Sequence, residues 1–168
     1  DITVVYPTNT TYGTTALYVN ATTSTVDNCY YSLNGAANAS MTDYTSGTYW
    51  NATITAAEGS NSVTVSCNDS ANNWNSSSVT FTADTTAPST IDLDVPIQGY
   101  NTSSSDVNFN WTAYDNLDTS LTCNLTLNGI VNASNLASVN ATTRNYTIVN
   151  IPEGLHYWNV TCWDGQNN

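Results

Sequence analysis

One alternating segment occurs twice in the sequence, at residues 58–69 and again 95 residues later at 153–164. Each copy begins with Glu-Gly and then alternates, so that Val65 and Cys67 share one face of the first copy with polar residues on the other. Alternation with a period of two, carried by β-branched and aromatic residues, is typical of a half-buried β-strand. We therefore expect an all-β chain of two tandem β-sandwiches, each built around this strand.

The repeat assigns residues 1–88 to the first sandwich with its linker and residues 89–168 to the second. A last strand is predicted at 79–83 in the first domain, whereas the second domain stops at the matching point. We therefore expect the second sandwich to lack its last strand and to present an open sheet edge, which proteins normally cover. Either further polypeptide or another chain would supply that strand. The short linker at 84–88 predicts a stiff end-to-end arrangement.

The other predicted strands also occur in matching pairs. Each domain should begin with a short strand closed by a proline, and the third strand of each should end in Asn-Gly, a strong signal for a hairpin turn. The pairs are residues 2–7 with 91–96, 17–21 with 107–111, 29–35 with 123–129, and 50–54 with 144–148.

Four cysteines allow three disulfide pairings. The repeat pairs each cysteine within its own domain, which gives Cys29 with Cys67 and Cys123 with Cys162. The similar intervals are expected if both copies cross-link the same two strands. Disulfides indicate an oxidising compartment, so we expect an extracellular or cell-surface protein.

The composition limits the kinds of partner. Only 8% of residues are charged, the net charge is −12, and Arg144 is the one basic side chain. Nucleic acid is not an expected partner, because phosphate binding requires clustered Lys and Arg. No apolar stretch approaches the roughly 20 residues that span a bilayer, and no leader pattern opens the sequence. The chain therefore resembles a processed product or a fragment.

The strongest functional signal is the triplet Asn-x-Ser/Thr, which occurs thirteen times where composition alone predicts about seven. Many of these asparagines lie on predicted strands, out of phase with the apolar face, so that a glycan there would project into solvent. We therefore predict extensive N-glycosylation. The sites are Asn9, Asn20, Asn38, Asn51, Asn68, Asn75, Asn101, Asn110, Asn124, Asn132, Asn140, Asn145 and Asn159.

Three motifs together resemble the tandem immunoglobulin-like or fibronectin-III-like repeats of prokaryotic, especially archaeal, surface glycoproteins. They are Asp-Thr-Thr-Ala-Pro at 84–88, Cys-x-Leu-x-Leu-Asn-Gly at 123–129, and the Gly-then-Trp-x-Val-x-Cys-x-Asp strand that ends at Asp164. The resemblance covers nearly the whole chain and implies an architecture, two tandem immunoglobulin-like β-sandwiches, rather than an activity, since such modules serve as stalks, adhesins and filament subunits. The chain departs from it in the truncated second module and in lacking the tryptophan that packs on the antibody disulfide.

We expect no catalytic residue, no metal ligand and no cofactor, apart from covalently attached N-glycans. His156 is the only histidine, and we predict it to be a solvent-facing strand residue. Structural calcium is the weaker alternative, with oxygen ligands from Asp115 and Asp118 or from Asp84 together with two aspartates of the next strand, Asp92 and Asp94. Matching positions predict Asp69 and Asp164 to be turn formers.

We therefore expect a structural extracellular glycoprotein. It would be the repeating subunit of a surface filament, assembled head-to-tail and in one version by strand donation through the 2–7 segment, or a module of a surface-layer or stalk protein. The predicted partners are copies of the chain itself. The alternative function, an adhesin or carbohydrate-binding module, predicts surface glycans as partners instead. That alternative requires an exposed aromatic platform. Trp50, Trp111 and Trp158 are in phase with the core, whereas Trp74, Trp163 and Tyr31 are candidates for exposure.

Overall fold

A computed structural model describes residues 1–166 of the chain, and this part contains β-strands but no α-helix. The chain divides into two compact units, Asp1–Thr85 and Thr86–Asn168, called unit 1 and unit 2 below. The division falls within the predicted linker, residues 84–88. The prediction of an all-β chain with tandem sandwiches is confirmed, and each unit has its own hydrophobic core.

Unit 1 consists of nine strands in two sheets. One sheet has the order β1-β3-β7-β6 and the other β2-β9-β8-β4-β5, with antiparallel pairs except for the parallel pair β2–β9. The strands are β1 (Ile2–Tyr6), β2 (Thr11–Tyr12), β3 (Ala16–Thr23), β4 (Asn28–Leu33), β5 (Ala39–Ser40), β6 (Thr42–Asp43), β7 (Tyr49–Thr55), β8 (Gly59–Asn68) and β9 (Trp74–Ala83).

The described part of unit 2 contains six strands in two three-stranded sheets, with the orders β10-β11-β14 and β13-β12-β15. The strands are β10 (Thr90–Val95), β11 (Val107–Tyr114), β12 (Ser120–Leu127), β13 (Ile130–Val139), β14 (Arg144–Ile148) and β15 (Trp158–Trp163). β8 and β15 are the two copies of the repeated segment. β8 lies between β4 and β9, whereas β15 pairs only with β12 in the part of the chain that the structure describes.

The predicted alternation places the core residues correctly. Val63 and Val65 of β8 are fully buried, and the intervening Thr64 faces outward. Trp50 and Trp111 are also buried, as their phase predicts, because each lies on a strand whose alternate residues face the opposite sheet.

Both predicted disulfides are present, and each cross-links neighbouring strands of one sheet. Cys29 and Cys67 are directly opposite on β4 and β8, and Cys123 and Cys162 are directly opposite on β12 and β15. They therefore reinforce existing strand pairs rather than joining opposite sheets.

The predicted Asn-Gly turns have the expected backbone conformation. Asn128 and Gly129 both have positive φ, 52° and 80°, and Leu127 pairs directly with Ile130, which defines a two-residue β12–β13 hairpin. Asn34 and the glycine after it make the matching turn in unit 1. The first strand of each unit contains a register shift and is followed by proline.

One prediction requires correction in unit 2, the placement of His156 on a strand. β15 begins at Trp158, four residues after Gly154, whereas its copy in unit 1 begins directly at Gly59. In unit 1 that first part is held by β9, because Gly59 pairs with Ala83. No described strand takes this place in unit 2, so the segment before β15 is irregular. His156 consequently precedes the strand, where its Nε2 donates to the Pro152 carbonyl at 2.8 Å.

Among the described residues there is no helix whose length and hydrophobicity would let it cross a bilayer.

Candidate functional site

The sequon asparagines lie on the protein surface. The seven that the alternation predicts on strands or strand ends all lie on strands: Asn20, Asn51, Asn68, Asn110, Asn124, Asn145 and Asn159. None of the thirteen sequon asparagines is buried. The fold is therefore compatible with glycans at the outer ends of these side chains, and modification at each site stays a prediction.

Four of these asparagines form two equivalent cross-strand pairs. Asn20 on β3 is directly opposite Asn51 on β7, whose amide nitrogen donates to the Asn20 side-chain oxygen. In unit 2, Asn110 on β11 is directly opposite Asn145 on β14. Residues that face each other in an antiparallel pair have Cβ atoms about 5 Å apart, so two glycans on one pair would start from almost the same point.

Asn140 differs from the other sequon asparagines because its whole amide is engaged. Its Oδ1 accepts a hydrogen bond from the Asp115 backbone amide at 3.0 Å, and its Nδ2 donates to the carbonyls of Asp115 and Asp118, both at 2.8 Å. The side chain therefore ties the segment after β13 to the loop between β11 and β12.

The free edge of β15 is the most conspicuous difference between the two units. β9 pairs with β8 along ten residue pairs, and its Phe81 is only 2% exposed in the unit 1 core. β15 has no such neighbour among the described residues, and its inward residues are less well covered. Val160 is 8% exposed where its copy Val65 is fully buried, and Cys162 is half-buried.

The turns that follow β8 and β15 begin in the same way. Asp69 Oδ1 accepts hydrogen bonds from the backbone amides of Ala71 and Asn73, both at 2.9 Å, and the chain then reverses into β9. Asp164 Oδ1 likewise accepts from the amide two residues later, that of Gln166, at 2.8 Å. Both aspartates are thus turn formers, as predicted. At the free edge, unit 2 contains the beginning of a strand-reversing turn.

An aromatic shelf lies on the outer face of unit 1. It consists of Trp74, the first residue of β9, together with Tyr30, whose ring centroid lies 5.9 Å away at an interplanar angle of 34°. Trp74 is 53% exposed, and its indole nitrogen donates to Asn72 Oδ1 at 3.0 Å, which fixes the ring. A shallow depression of about 470 Å³ beside it is lined by Trp74 and by polar side chains: Asn38, Ser66, Asn75 and Ser76.

The other predicted candidates for exposure are less accessible than Trp74. Trp163 and Tyr31 are both half-buried, and Tyr31 packs against the unit 1 core. The position of Trp74 at the start of an outer strand, where the turn at Asp69 ends, explains why it alone of the three presents a broad face to solvent.

Three of the five candidate calcium ligands accept hydrogen bonds from other groups of the protein. Asp115 Oδ1 accepts from the amides of Leu117 and Asp118, and Asp118 Oδ2 accepts from the Gly165 amide at 2.6 Å. Asp94 Oδ2 accepts from the Thr112 hydroxyl. The described residues contain no group of three or more His, Cys, Asp or Glu side chains arranged to hold a metal ion.

The comparisons with known proteins concern the fold. No protein-family model and no curated protein matches the chain. Among solved structures, fibronectin(III)-like modules of Clostridium thermocellum CbhA are 20% identical with a TM-score of 0.42, covering 50% of this chain and 96% of that one.

Two further structures are similar at lower identity. One comes from a 1.5-MDa bacterial ice-binding adhesin and was determined to explain its retention at the host cell surface. It has 13% identity, a TM-score of 0.38, and coverage of 90% of this chain and 57% of that one. The other is Bacteroides ovatus SGBP-B in complex with a mixed-linkage heptasaccharide, with 12% identity, a TM-score of 0.26, and coverage of 84% and 45%. The chain spans less than two thirds of the length of these two proteins.

Proposed function

We propose that this chain is a structural module of an extracellular surface assembly, and that a β-strand added along the free edge of β15 connects it to the rest of that assembly. The observation that carries the proposal is the contrast between β8, which is paired on both sides, and β15, which is paired on one. Exposed strand edges recruit further strands because their amide and carbonyl groups are unpaired. The two disulfides support an extracellular location.

The added strand is distinct from every strand that the structure describes. The first strand, β1, pairs with β3, and its Ile2 and Val4 pack against the unit 1 core. Donation of this strand to a neighbour, the version suggested by the sequence, would therefore remove part of the donor's own core. An additional strand that runs antiparallel to β15, as β9 runs along β8, has no such cost.

The source of that strand decides the kind of assembly. Supply from a second copy gives a head-to-tail contact that does not close and therefore a filament. Supply from the same polypeptide gives a stalk or surface layer of successive sandwiches. The turn at Asp164 favours the second arrangement, because the equivalent turn at Asp69 leads directly into β9.

Extensive N-glycosylation is part of the proposed function. Only 8% of the residues are charged, so this surface has fewer charged side chains than an ordinary globular protein, and glycans on the sequons would add to its hydration. Their outward placement on strands allows them to cover the sheets without disturbing the cores.

Electron microscopy of the native material shed from cells tests this function. Continuous fibres would identify a filament, and long chains of many domains would identify a stalk. Isolated two-domain particles with no other protein attached would contradict a role in assembly. Mass spectrometry of the same material reports glycosylation independently.

The aromatic shelf of Trp74 and Tyr30 favours a second candidate function, carbohydrate binding. A fixed, exposed indole offers an apolar face to a sugar ring, and the neighbouring Asn38, Ser66 and Ser76 offer hydrogen-bonding groups. This arrangement supplies the exposed aromatic platform that the adhesin alternative requires.

A glycan array probed with unglycosylated, disulfide-bonded protein tests the second candidate. Trp74→Ala should abolish binding, while Tyr44→Ala, which removes another exposed aromatic ring, should preserve it. Absence of binding by the unmodified sequence, or equal binding by the two variants, would contradict a sugar site at the shelf.

A further inference from the structure

We propose that Asn140 is a structural clamp and not a glycan acceptor, although its triplet Asn-Ala-Thr is a complete sequon, and that glycans are confined to sequons whose amide nitrogen keeps at least one hydrogen free of protein contacts. This inference rests on the proposed glycosylation and specifies where it occurs. Its basis is the engagement of both amide hydrogens of Asn140 by the carbonyls of Asp115 and Asp118.

The surrounding backbone fixes the orientation of the Asn140 amide. The backbone N–H of Asp115 is a donor and must face the side-chain oxygen, whereas the carbonyls of Asp115 and Asp118 are acceptors and must face the nitrogen. A flipped amide would oppose donor to donor and acceptor to acceptor at three contacts. The nitrogen therefore lies on the protein side of the group.

Modification is incompatible with this arrangement. In N-glycosylation, one N–H bond of Nδ2 breaks and a bond forms from Nδ2 to C1 of a phosphate-linked oligosaccharide donor. The donor's C1–O bond breaks, the phosphate leaves with the electron pair, and the amide proton passes to solvent. A glycosylated Asn140 would keep one hydrogen for two carbonyls, and a sugar ring would occupy the place of the other contact.

Asn124 provides the matched comparison within the same unit. Its Oδ1 also accepts from a backbone amide, that of Asn135 at 3.0 Å, but its nitrogen makes no hydrogen bond to any described residue. Both sequons have an apolar middle residue and threonine in the last position. Asn75 has the same free geometry, since its Oδ1 accepts from the Ser76 amide.

Glycopeptide mass spectrometry of the native protein and two threonine variants tests the assignment. Thr142→Ala removes the Asn140 sequon but leaves its amide in place, and should leave the total glycan mass unchanged. Thr126→Ala removes the Asn124 sequon and should reduce the mass by one glycan. A glycan on Asn140 of the folded protein, or loss of one glycan in Thr142→Ala, would overturn the proposal.

The clamp is tested separately in unglycosylated protein. Asn140→Asp keeps the accepting oxygen and replaces the donating nitrogen with an oxygen that faces two carbonyls. We expect hydrogen exchange in the loop after β11, at Leu117 and Asp118, to accelerate about tenfold or more, whereas Asn124→Asp should leave it unchanged.

The two experiments fail in different ways. If no sequon of the native protein is occupied, the proposed glycosylation is wrong, and so is the proposed confinement of glycans to certain sequons. The role of Asn140 as a clamp is still tested by Asn140→Asp. If exchange in Asn140→Asp equals that in Asn124→Asp, the clamp is wrong, whatever the glycans show.

Discussion

β8 and β15 are copies of one strand, and the difference between their surroundings separates the two units. β8 is held by a disulfide on one side and by all ten residues of β9 on the other. β15 has the disulfide and the pairing with β12, but its second edge is free in the described part of the chain. The comparison shows that the repeated sequence specifies a strand, whereas the neighbouring strand determines its length and burial.

The two units also differ in the hydrogen bonds that hold one loop, which follows β3 in unit 1 and β11 in unit 2. In unit 1, the Gly47 carbonyl accepts hydrogen bonds from the Val26 amide and the Thr23 hydroxyl. In unit 2, the Asn140 side chain makes the contacts to the corresponding loop. A main-chain carbonyl thus bonds to this loop in unit 1, whereas in unit 2 a side-chain amide does so, together with the Asn140 backbone amide, which donates to the Thr119 carbonyl.

The largest effect is expected from Phe81→Ala, which makes unit 1 resemble unit 2 by removing the main core contribution of β9. Truncation of a buried phenylalanine typically costs about 3–5 kcal/mol, so unit 1 should unfold at a markedly lower denaturant concentration. NMR-monitored urea titration resolves the two units. Thr80→Ala, at an exposed position on β9, is the matched control, and equal loss in both variants would contradict the assigned role of Phe81.

A smaller effect is expected from Gly47→Ala, which alters the loop contact in unit 1. Gly47 has φ of 81°, and a Cβ there would collide with the Val26 carbonyl oxygen. Strain of this kind costs roughly 1–3 kcal/mol. Thermal unfolding should show the loss. Gly35→Ala is a useful control, because Gly35 also has positive φ but a Cβ there would enter open space; a larger loss at Gly35 would refute the proposed close approach.

The smallest effect concerns pH and the turn at Asp69. Hydrogen bonds from the Asn73 side chain, the Asn73 amide and the Ala71 amide hold the pKa of Asp69 below its usual value of 3.8. Because the pKa is lowered on folding, the stabilisation is present above the unfolded value and is lost as the pH falls through the folded one. Unfolding midpoints of the wild type and Asp69→Asn should therefore converge below about pH 3.8. A constant difference across this range would contradict the assignment.

Local periodicity accounts for what the sequence predicts well. The alternation around Val65 and Cys67 predicts both the strand and its inward face, and the copy offset predicts the disulfide pairs. The sequence does not predict β13, because most of its side chains are exposed and its residues lack clear alternation. Its existence depends on the hairpin turn at Asn128 and on pairing with β12.

The candidate sites depend on contacts that no local pattern encodes. The triplet at Asn140 has the same form as the triplet at Asn124, and only the fold brings the Asp115 loop against the former. The sequence likewise leaves Trp74 undecided, since its exposure follows from the turn that precedes β9. The sequence predicts His156 on a strand because it does not show that β15, in the described part of the chain, has no counterpart of the strand that extends β8.

Amide hydrogen exchange across β15, in the isolated chain and in native assembled material, tests the central claim most directly. In the isolated chain, the amides of β15 that do not bond to β12 should exchange rapidly, while the amides of β8 stay protected on both edges. In the assembled material, the amides on the free edge of β15 should become protected as those of β8 are. Assembled material in which these amides still exchange rapidly would contradict the addition of a strand at this edge.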